Sequence, residues 1–328
     1  MQPSEIENMY YYEYWYYVKN LSEYITQISN LNNNFRGGQL FFRGHRDRKF
    51  KAEPSVFRED RWKKNEREML QRLLAMQPHD FSRDSSLFEW LARAQHYGLP
   101  TRLLDVTRNA LVALFFACED ESDADPADGS NRGEIKERRS AGEVIVFLPD
   151  SVQVEFYDSK TVALLSSLAS LSDTVRESIK DHLLNCREKV GRNQNIQSQE
   201  SFDSALLEAF NKDKSVKAFV ALARRQLPTL EDSIDPDTLT KIVAVIPRQL
   251  DVRISVQSAA FLLFGLFSPE SERRKRFFLE DFSTQEIYIS PKNKAGILSE
   301  LGYIGISREY LFPSLENTAT QIKNSLFA

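Results

Sequence analysis

The feature that most constrains the fold of this chain is the distance along the sequence between its strand-forming segments. Short runs rich in β-branched or aromatic residues are typical of buried strands. Such runs occur at residues 39–43, 143–148, 242–246, 254–256, 261–264 and 286–289. Residues 160–180 and 202–223 have a helical pattern instead. These distant pieces predict an α+β fold with a mixed sheet from N- and C-terminal strands and a helical middle layer.

One charged segment interrupts this pattern. Residues 121–139 read ESDADPADGSNRGEIKERR and contain few apolar residues. This composition is typical of an exposed loop. A length of 328 residues is enough for one large domain or two ordinary ones, and no internal repeat is visible. We predict a single domain over residues 1–328, with residues 121–139 as an insertion loop.

Composition argues against several functional classes. The net charge of −4 gives no overall attraction to nucleic acid, although a local basic patch can still bind it. The two cysteines are far apart, and none of the four histidines has zinc-finger or metalloprotease spacing, so we predict no metal site. No run of about 18 apolar residues is present. We therefore expect a cytoplasmic protein that does not span a membrane.

The run FFRG at residues 41–44 is the first candidate for function. Phe41 and Phe42 suit a buried strand, but a buried guanidinium needs partners for its charge and for up to five donors. Gly44 permits a sharp turn or a close backbone approach. The stretch therefore predicts a core strand that delivers Arg43 to a rim or a cleft.

The densest polar cluster lies at residues 95–109, QHYGLPTRLLDVTRN, which we interpret as a turn between two helices. Its leucines and valine require partial burial, and buried polar groups must be paired. Part of the cluster has a structural explanation, in which Asp105 and Thr107 cap the next helix and Arg102 pairs with Asp105. A turn does not need Gln95, His96 and Arg102 together, so we expect these to converge on a site.

Four stretches together resemble the FRG domain family, which is named after a Phe-Arg-Gly motif. They are FFRG, QHYGLPTRLLDVTRNALVALFFAC, RISVQSAAFLLFG at residues 253–265 and GISREYLFPSL at residues 305–315. The resemblance spans about residues 20–320. It implies a domain that is often bacterial and is sometimes linked to phage defence or to toxin–antitoxin systems, where an antitoxin is the partner.

An aromatic-Arg-Gly motif at the end of a first core strand is also similar to the first motif of arginine-type ADP-ribosyltransferases. This resemblance implies NAD as a substrate, with Arg43 on its phosphates or the adjacent ribose and Gln257 near the last motif. Arg43 and Arg102 would clamp the diphosphate. The supporting binding residues implied by the same match are Gln95, His96 and Thr101. The implied acceptor of ADP-ribose is RNA or protein.

The chain departs from the transferase pattern in two respects. Gln257 is neutral where the family usually has a glutamate, and no Ser-Thr-Ser strand is evident. One explanation is that another carboxylate takes the role of that glutamate, and the candidates are Asp105, Glu143 and Glu286. The other is that the pocket binds a nucleotide without catalysing a reaction. We therefore keep two hypotheses, an NAD-dependent ADP-ribosyltransferase and a non-catalytic nucleotide-sensing or interaction domain.

Basic clusters bear on an RNA acceptor. They lie at residues 43–51, 58–67 and 273–276, and the last is followed by two phenylalanines. Basic residues interleaved with aromatic residues suit a groove that tracks phosphates and stacks bases. The alternative is an ordinary solvated face, which we favour for residues 58–67.

Overall fold

The distant strands meet in one eight-stranded mixed sheet in the computed structural model of the protein, which describes residues 17–34, 39–119, 140–149, 154–193, 198–249, 252–268 and 282–313. The strands are β1 (Tyr17–Val18), β2 (Phe41–His45), β3 (Leu103–Thr107), β4 (Gly142–Pro149), β5 (Val154–Phe156), β6 (Ile242–Ile246), β7 (Ala259–Phe264) and β8 (Phe282–Ile289). Their order in the sheet is β1-β8-β4-β2-β3-β7-β6-β5. The β1–β8 and β5–β6 pairs are parallel and the remaining pairs are antiparallel.

Helices fill the intervals between the strands. They are α1 (Leu21–Asn34), α2 (Asp60–Met76), α3 (Leu87–His96), α4 (Ala110–Cys118), α5 (Lys160–Ser167), α6 (Asp173–Gly191), α7 (Gln199–Asn211), α8 (Lys214–Ala223), α9 (Val252–Val256), α10 (Lys294–Tyr303) and α11 (Arg308–Leu311). Single 3-10 turns occur at Ser55–Phe57, Leu168–Ser170, Pro236–Thr240 and Pro291–Asn293. Helices α5 to α8 form the predicted middle layer, and the α+β class with a mixed sheet is confirmed.

Two local predictions were wrong. Residues 254–256, expected as a strand, belong to helix α9, where the Gln257 N–H donates to the Arg253 carbonyl and closes a helical turn. Their β-branched composition is outweighed because the chain has to reverse there before entering β7. Residues 103–107, expected in a turn, form β3, in which Asp105 is exposed and the other four residues are buried. Leu103 packs on one face of the sheet, and Leu104 and Val106 pack on the other. Because both faces are covered, the sequence does not alternate as in a half-exposed strand, and the charged residues around it hid the strand.

The sheet separates its apolar side chains into three clusters. On one face, Phe42 and side chains of β4 and β8 pack against α1, α4 and α10. On the same face, Leu103 and side chains of β6 and β7 pack against α2, α3 and α5 to α8. On the opposite face, Phe41 and Leu104 belong to one cluster that extends from β4 to β6. One face therefore carries two separate cores with a gap between them, whereas the other face has a continuous core.

Two glycines allow α4 to lie directly on the sheet. A Cβ atom on Gly44 of β2 would stand 1.9 Å from the Ala113 carbonyl oxygen, and one on Gly142 of β4 would stand 2.2 Å from that of Ala117. Real Cβ atoms do not approach backbone so closely, so α4 rests on these two strands with no side chain between. This contact explains the glycine of the FFRG run.

Two predicted features lie outside the described residues, the insertion loop at residues 121–139 and the basic cluster at residues 273–276. The same is true of the aromatic-rich segment YYYEYWYY at residues 10–17, except for its last residue, Tyr17. Among the helices that the structure describes, none combines the length and the apolarity that crossing a bilayer demands.

The contact between α4 and the sheet predicts a large effect of one methyl group. Gly44→Ala should lower the free energy of unfolding by at least about 2 kcal/mol, because overpacking against backbone cannot be relieved by a rotamer change. Gly296→Ala in α10 is the matched control, since its Cβ would meet nothing within 4 Å. That variant should keep or gain stability, by up to about 1 kcal/mol. Urea unfolding of both variants tests this, and equal midpoints would contradict it.

Candidate functional site

The sheet opens between its two central strands. β2 pairs with β4 at five positions and β3 pairs with β7 at five, but β2 and β3 are in register only at Phe42 and Thr107. Beyond that pair the two strands are not joined by ladder hydrogen bonds. We call this gap the β2–β3 opening, and it divides the sheet into a β1-β8-β4-β2 half and a β3-β7-β6-β5 half.

Arg43 occupies the β2–β3 opening. Its Nη1 donates to the main-chain oxygen of Asp105 at 2.6 Å, and its Nε donates to Nε2 of His45 at 2.9 Å. Nη2 of Arg43 donates to none of the residues that the structure describes. Burial lowers the pKa of Arg43, an effect opposed by the nearby charge of Asp105. The predicted delivery of a guanidinium to a cleft is therefore observed, and the guanidinium keeps one nitrogen for a ligand.

A cavity of about 850 Å³ lies over the opening, in the gap between the two cores. Pockets for small molecules and cofactors span about 300–1,000 Å³. The floor comes from β2, β3 and β7, and the walls from α3, α4, the loop before α3 and the segment around α9. Polar and apolar side chains both contribute, among them Arg43, His79, Asp80, Asp84, Arg93, Gln95, His96, Asp105, Thr107, Val112, Phe116, Arg248, Arg253, Gln257 and Phe261.

Asp105 stands on the cavity floor. It is the exposed residue of a strand whose other four residues are buried. Its Oδ2 accepts a hydrogen bond of 2.8 Å from Nε2 of Gln95, and Oδ1 has no partner among the described residues. The hydroxyl of Thr101 donates to Oε1 of Gln95 and so fixes the orientation of that amide. A carboxylate is thus held in the middle of the sheet with one oxygen available.

Gln257 lies on the wall of the cavity, just before β7. Its Nε2 donates to the Leu311 carbonyl at 2.9 Å, and its own carbonyl accepts from Thr107 Oγ1 at 2.6 Å. Ser258, the next residue, has a φ of +47°, unlike any other non-glycine residue in the described part of the chain. Such strained conformations cluster at functional sites. Oε1 of the Gln257 side chain has no partner among the described residues, and Gln257 lines the cavity.

Two further pairs of charged side chains line the cavity. Arg93 donates to both carboxylate oxygens of Asp84, at 2.5 and 2.8 Å, and the hydrogen bond to Asp84 raises the pKa of Arg93. Nε of Arg248 lies 3.0 Å from Oε1 of Glu89. These residues were not expected at the site. The polar run HDFSRD at residues 79–84, between two helices, was the available signal.

Arg102 lies away from the cavity. It is buried, with Nε and Nη2 donating to Glu66 at 2.8 and 2.6 Å and Nη1 donating to the carbonyls of Phe264 and Gly265. Arg176 donates to the same carboxylate at 2.8 Å. The expected pairing of Arg102 with Asp105 is therefore wrong, because Glu66 takes that place. All three nitrogens of Arg102 are engaged in this network, which joins β3 to α2 and α6.

The other candidates for a catalytic carboxylate lie elsewhere. Glu143 is buried beside His45, and Glu286 is exposed on β8 and accepts from the Tyr288 hydroxyl. Neither lines the cavity. The N-cap of α4 is Asn109, whose side chain accepts from the Leu111 N–H at 2.9 Å, and not Asp105 or Thr107 as the structural explanation required. No group of histidine, cysteine or acidic side chains within the described ranges is arranged to hold a metal ion.

Comparison with known proteins supports one of the two resemblances. Residues 38–126 match the FRG domain family. This range contains β2, α3, β3 and α4, and therefore Arg43, Gln95 and Asp105, but it ends before Gln257. No curated protein and no solved structure matches the chain.

The buried network predicts an acid-sensitive contribution to stability. Burial by itself raises the pKa of a carboxyl, yet Arg102 and Arg176 hold the pKa of Glu66 below its ordinary value. The stabilisation that ionised Glu66 provides is therefore complete above about pH 4.3, the ordinary pKa of a glutamate. It is lost as the pH falls through the lower pKa that Glu66 has in the native state.

Glu66→Gln should lower the free energy of unfolding by about 3–5 kcal/mol at neutral pH, because it leaves two buried guanidiniums without a counter-ion. The control is Glu208→Gln, which removes an exposed pair with Lys212 and should change little. Urea unfolding at pH 7 and at stepwise lower pH measures both effects. A wild-type-like stability of Glu66→Gln would refute the structural role of the network.

Proposed function

We propose that the cavity binds NAD and that the protein transfers ADP-ribose from it to an acceptor. The observation that carries this proposal is the available carboxylate of Asp105 on the floor of a cavity of nucleotide size. When the bond between ribose and nicotinamide breaks, the bonding electron pair leaves with nicotinamide and positive charge develops on the ribose. A fixed carboxylate stabilises that charge. The acceptor then bonds to the same ribose carbon and releases a proton.

Arg43 supplies the complementary positive charge. A guanidinium remains a cation at neutral pH and binds phosphate oxygens through charge-assisted hydrogen bonds. The free Nη2 of Arg43 and the Asp105 carboxylate belong to the two sides of the β2–β3 opening. We assign the diphosphate of NAD to the Arg43 side and the nicotinamide ribose to the Asp105 side. An ADP-ribosyltransferase-like sheet, as the sequence resemblance implies, is part of this proposal.

Two glutamines orient the substrate in this proposal. Gln95 holds Asp105, with Thr101 behind it, and Gln257 offers Oε1 to a ribose hydroxyl. His96 also lines the cavity. Arg102 takes no part in binding here, because its donors are used by Glu66 and two carbonyls. The proposed acceptor is RNA or protein, and a role in phage defence or toxin–antitoxin systems follows only from the family resemblance.

The neutral Gln257 favours a second candidate, a domain that senses a nucleotide without cleaving it. Both candidates require NAD to bind in the cavity, and only the first requires release of nicotinamide. Incubation of the protein with NAD, with and without RNA and protein acceptors, separates them by chromatography of free nicotinamide. Binding without release under every condition would favour the sensor.

Asp105→Asn should reduce the rate of nicotinamide release by about 10²- to 10³-fold while changing the affinity for NAD by less than about threefold. Asparagine keeps an oxygen for Gln95 but loses the negative charge that the transition state needs. Glu286→Gln is the control, since it removes a carboxylate of similar exposure outside the cavity. Rates of both variants, with NAD affinity from calorimetry, test the assignment. An unchanged rate in Asp105→Asn would remove Asp105 from the mechanism.

Gln257 gives an independent test. Gln257→Ala should slow nicotinamide release, because a ribose hydroxyl loses its acceptor. Gln257→Glu should retain or raise the rate, because a carboxylate accepts the same hydrogen bond and adds negative charge near the ribose. Wild-type rates for Gln257→Ala would show that the amide serves only the Leu311 carbonyl.

A further inference from the structure

His45 connects Arg43 to a buried carboxylate. Its Nε2 accepts from Nε of Arg43 at 2.9 Å, and its Nδ1 lies 3.1 Å from Oε2 of Glu143 on the neighbouring strand. The exposed fractions of His45 and Glu143 are 3% and 5%. The ring of Phe50 meets the imidazole edge-on, with the centroids 6.2 Å apart. These three contacts hold the imidazole from different sides.

The chemistry of the partners fixes the protonation of His45. Arginine carries only donors, so Nε2 of His45 has to present a lone pair to it. The ring proton is therefore on Nδ1, where it donates to Glu143. A neutral histidine with this tautomer forms a continuous chain from the Glu143 carboxylate to the Arg43 guanidinium.

This series of hydrogen bonds also brings a cation near Glu143. A buried carboxylate beside a neutral ring needs a cation nearby, and Arg43 lies on the far side of that ring. Orienting a metal-bound or catalytic group through a carboxylate–histidine pair is a common device in proteins. Here the oriented group is a guanidinium, whose side chain otherwise has many rotamers.

We infer that His45 and Glu143 are positioning residues that hold Arg43 in the β2–β3 opening, with Nη2 left for an anionic ligand of the diphosphate class. The inference rests on the proposed function for the identity of the ligand. It assigns the two residues no contact with that ligand, because neither lines the cavity. Their effect is to fix the donor before the anion arrives, so that binding costs less ordering of the side chain.

The first test determines the tautomer of His45. A long-range ¹H–¹⁵N correlation spectrum of the full-length protein at pH 7 should show a neutral His45 with its proton on Nδ1. Loss of these signals in His45→Gln assigns them among the four histidines. A proton on Nε2, or an imidazolium ring, would overturn the inference whatever the protein binds.

The second test is affinity, measured by calorimetry with NAD and with inorganic pyrophosphate. His45→Leu removes the acceptor and should weaken both affinities about three- to tenfold. His45→Gln, whose amide can accept from Arg43 and donate to Glu143, should restore them to within about twofold. His182→Gln, a histidine stacked on Phe210 among the helices, is the control and should bind as the wild type does.

The outcomes separate this inference from the proposed function. Equal affinities for the wild type and His45→Leu overturn the positioning role. A His45→Gln variant that binds both ligands as weakly as Arg43→Ala also overturns it. This second comparison decides the matter if His45→Leu does not fold. Binding of pyrophosphate but not NAD by the wild type refutes the proposed function alone. Binding of neither ligand refutes both.

Discussion

The hydrogen bond from Arg43 to the Asp105 carbonyl is the interaction on which the centre of the molecule depends. Where two strands of a sheet separate, their main-chain groups lose ladder partners and need others. The guanidinium of β2 supplies a donor to β3 at this point. The sheet can therefore open without leaving that carbonyl unpaired, and the opening becomes the floor of a cavity. The same residue serves the fold and the site.

The two halves of the sheet are stabilised in different ways. The β3-β7-β6-β5 half carries the large helical layer, and the Glu66 network ties the beginning of β3 to two of its helices. The β1-β8-β4-β2 half packs against α1, α4 and α10. The continuous core on the opposite face, the Phe42–Thr107 pair and the Arg43–Asp105 hydrogen bond cross the boundary. A cavity between two separately stabilised halves follows from this arrangement.

Much of this site could be predicted from the sequence, but prediction failed where the interaction partner of a side chain lies far along the chain. Arg43, Gln95, His96, Asp105 and Gln257 all line the cavity, since an unneeded polar group in an apolar segment indicates a site. Arg102 satisfied the same criterion, yet its counter-ion is 36 residues away and gave no local signal. The strand β3 was missed for a related reason, because the charged residues in and around it obscured a short apolar segment that is buried on both faces. Residues 79–84 and Arg248 are of ordinary surface type, and only the tertiary fold brings them to the cavity.

The seating of α4 on Gly44 and Gly142 determines which parts of the molecule are free to move. Where helix backbone rests on strand backbone, no intervening side chain can change rotamer and let the helix slide. The α4 wall of the cavity is therefore rigidly joined to the Arg43 half of the sheet. We therefore expect any closure around a bound molecule to involve the other walls, the loop before α3 and the short α9 segment. One wall of the cavity is thus fixed, and we expect its adaptability in the remaining ones.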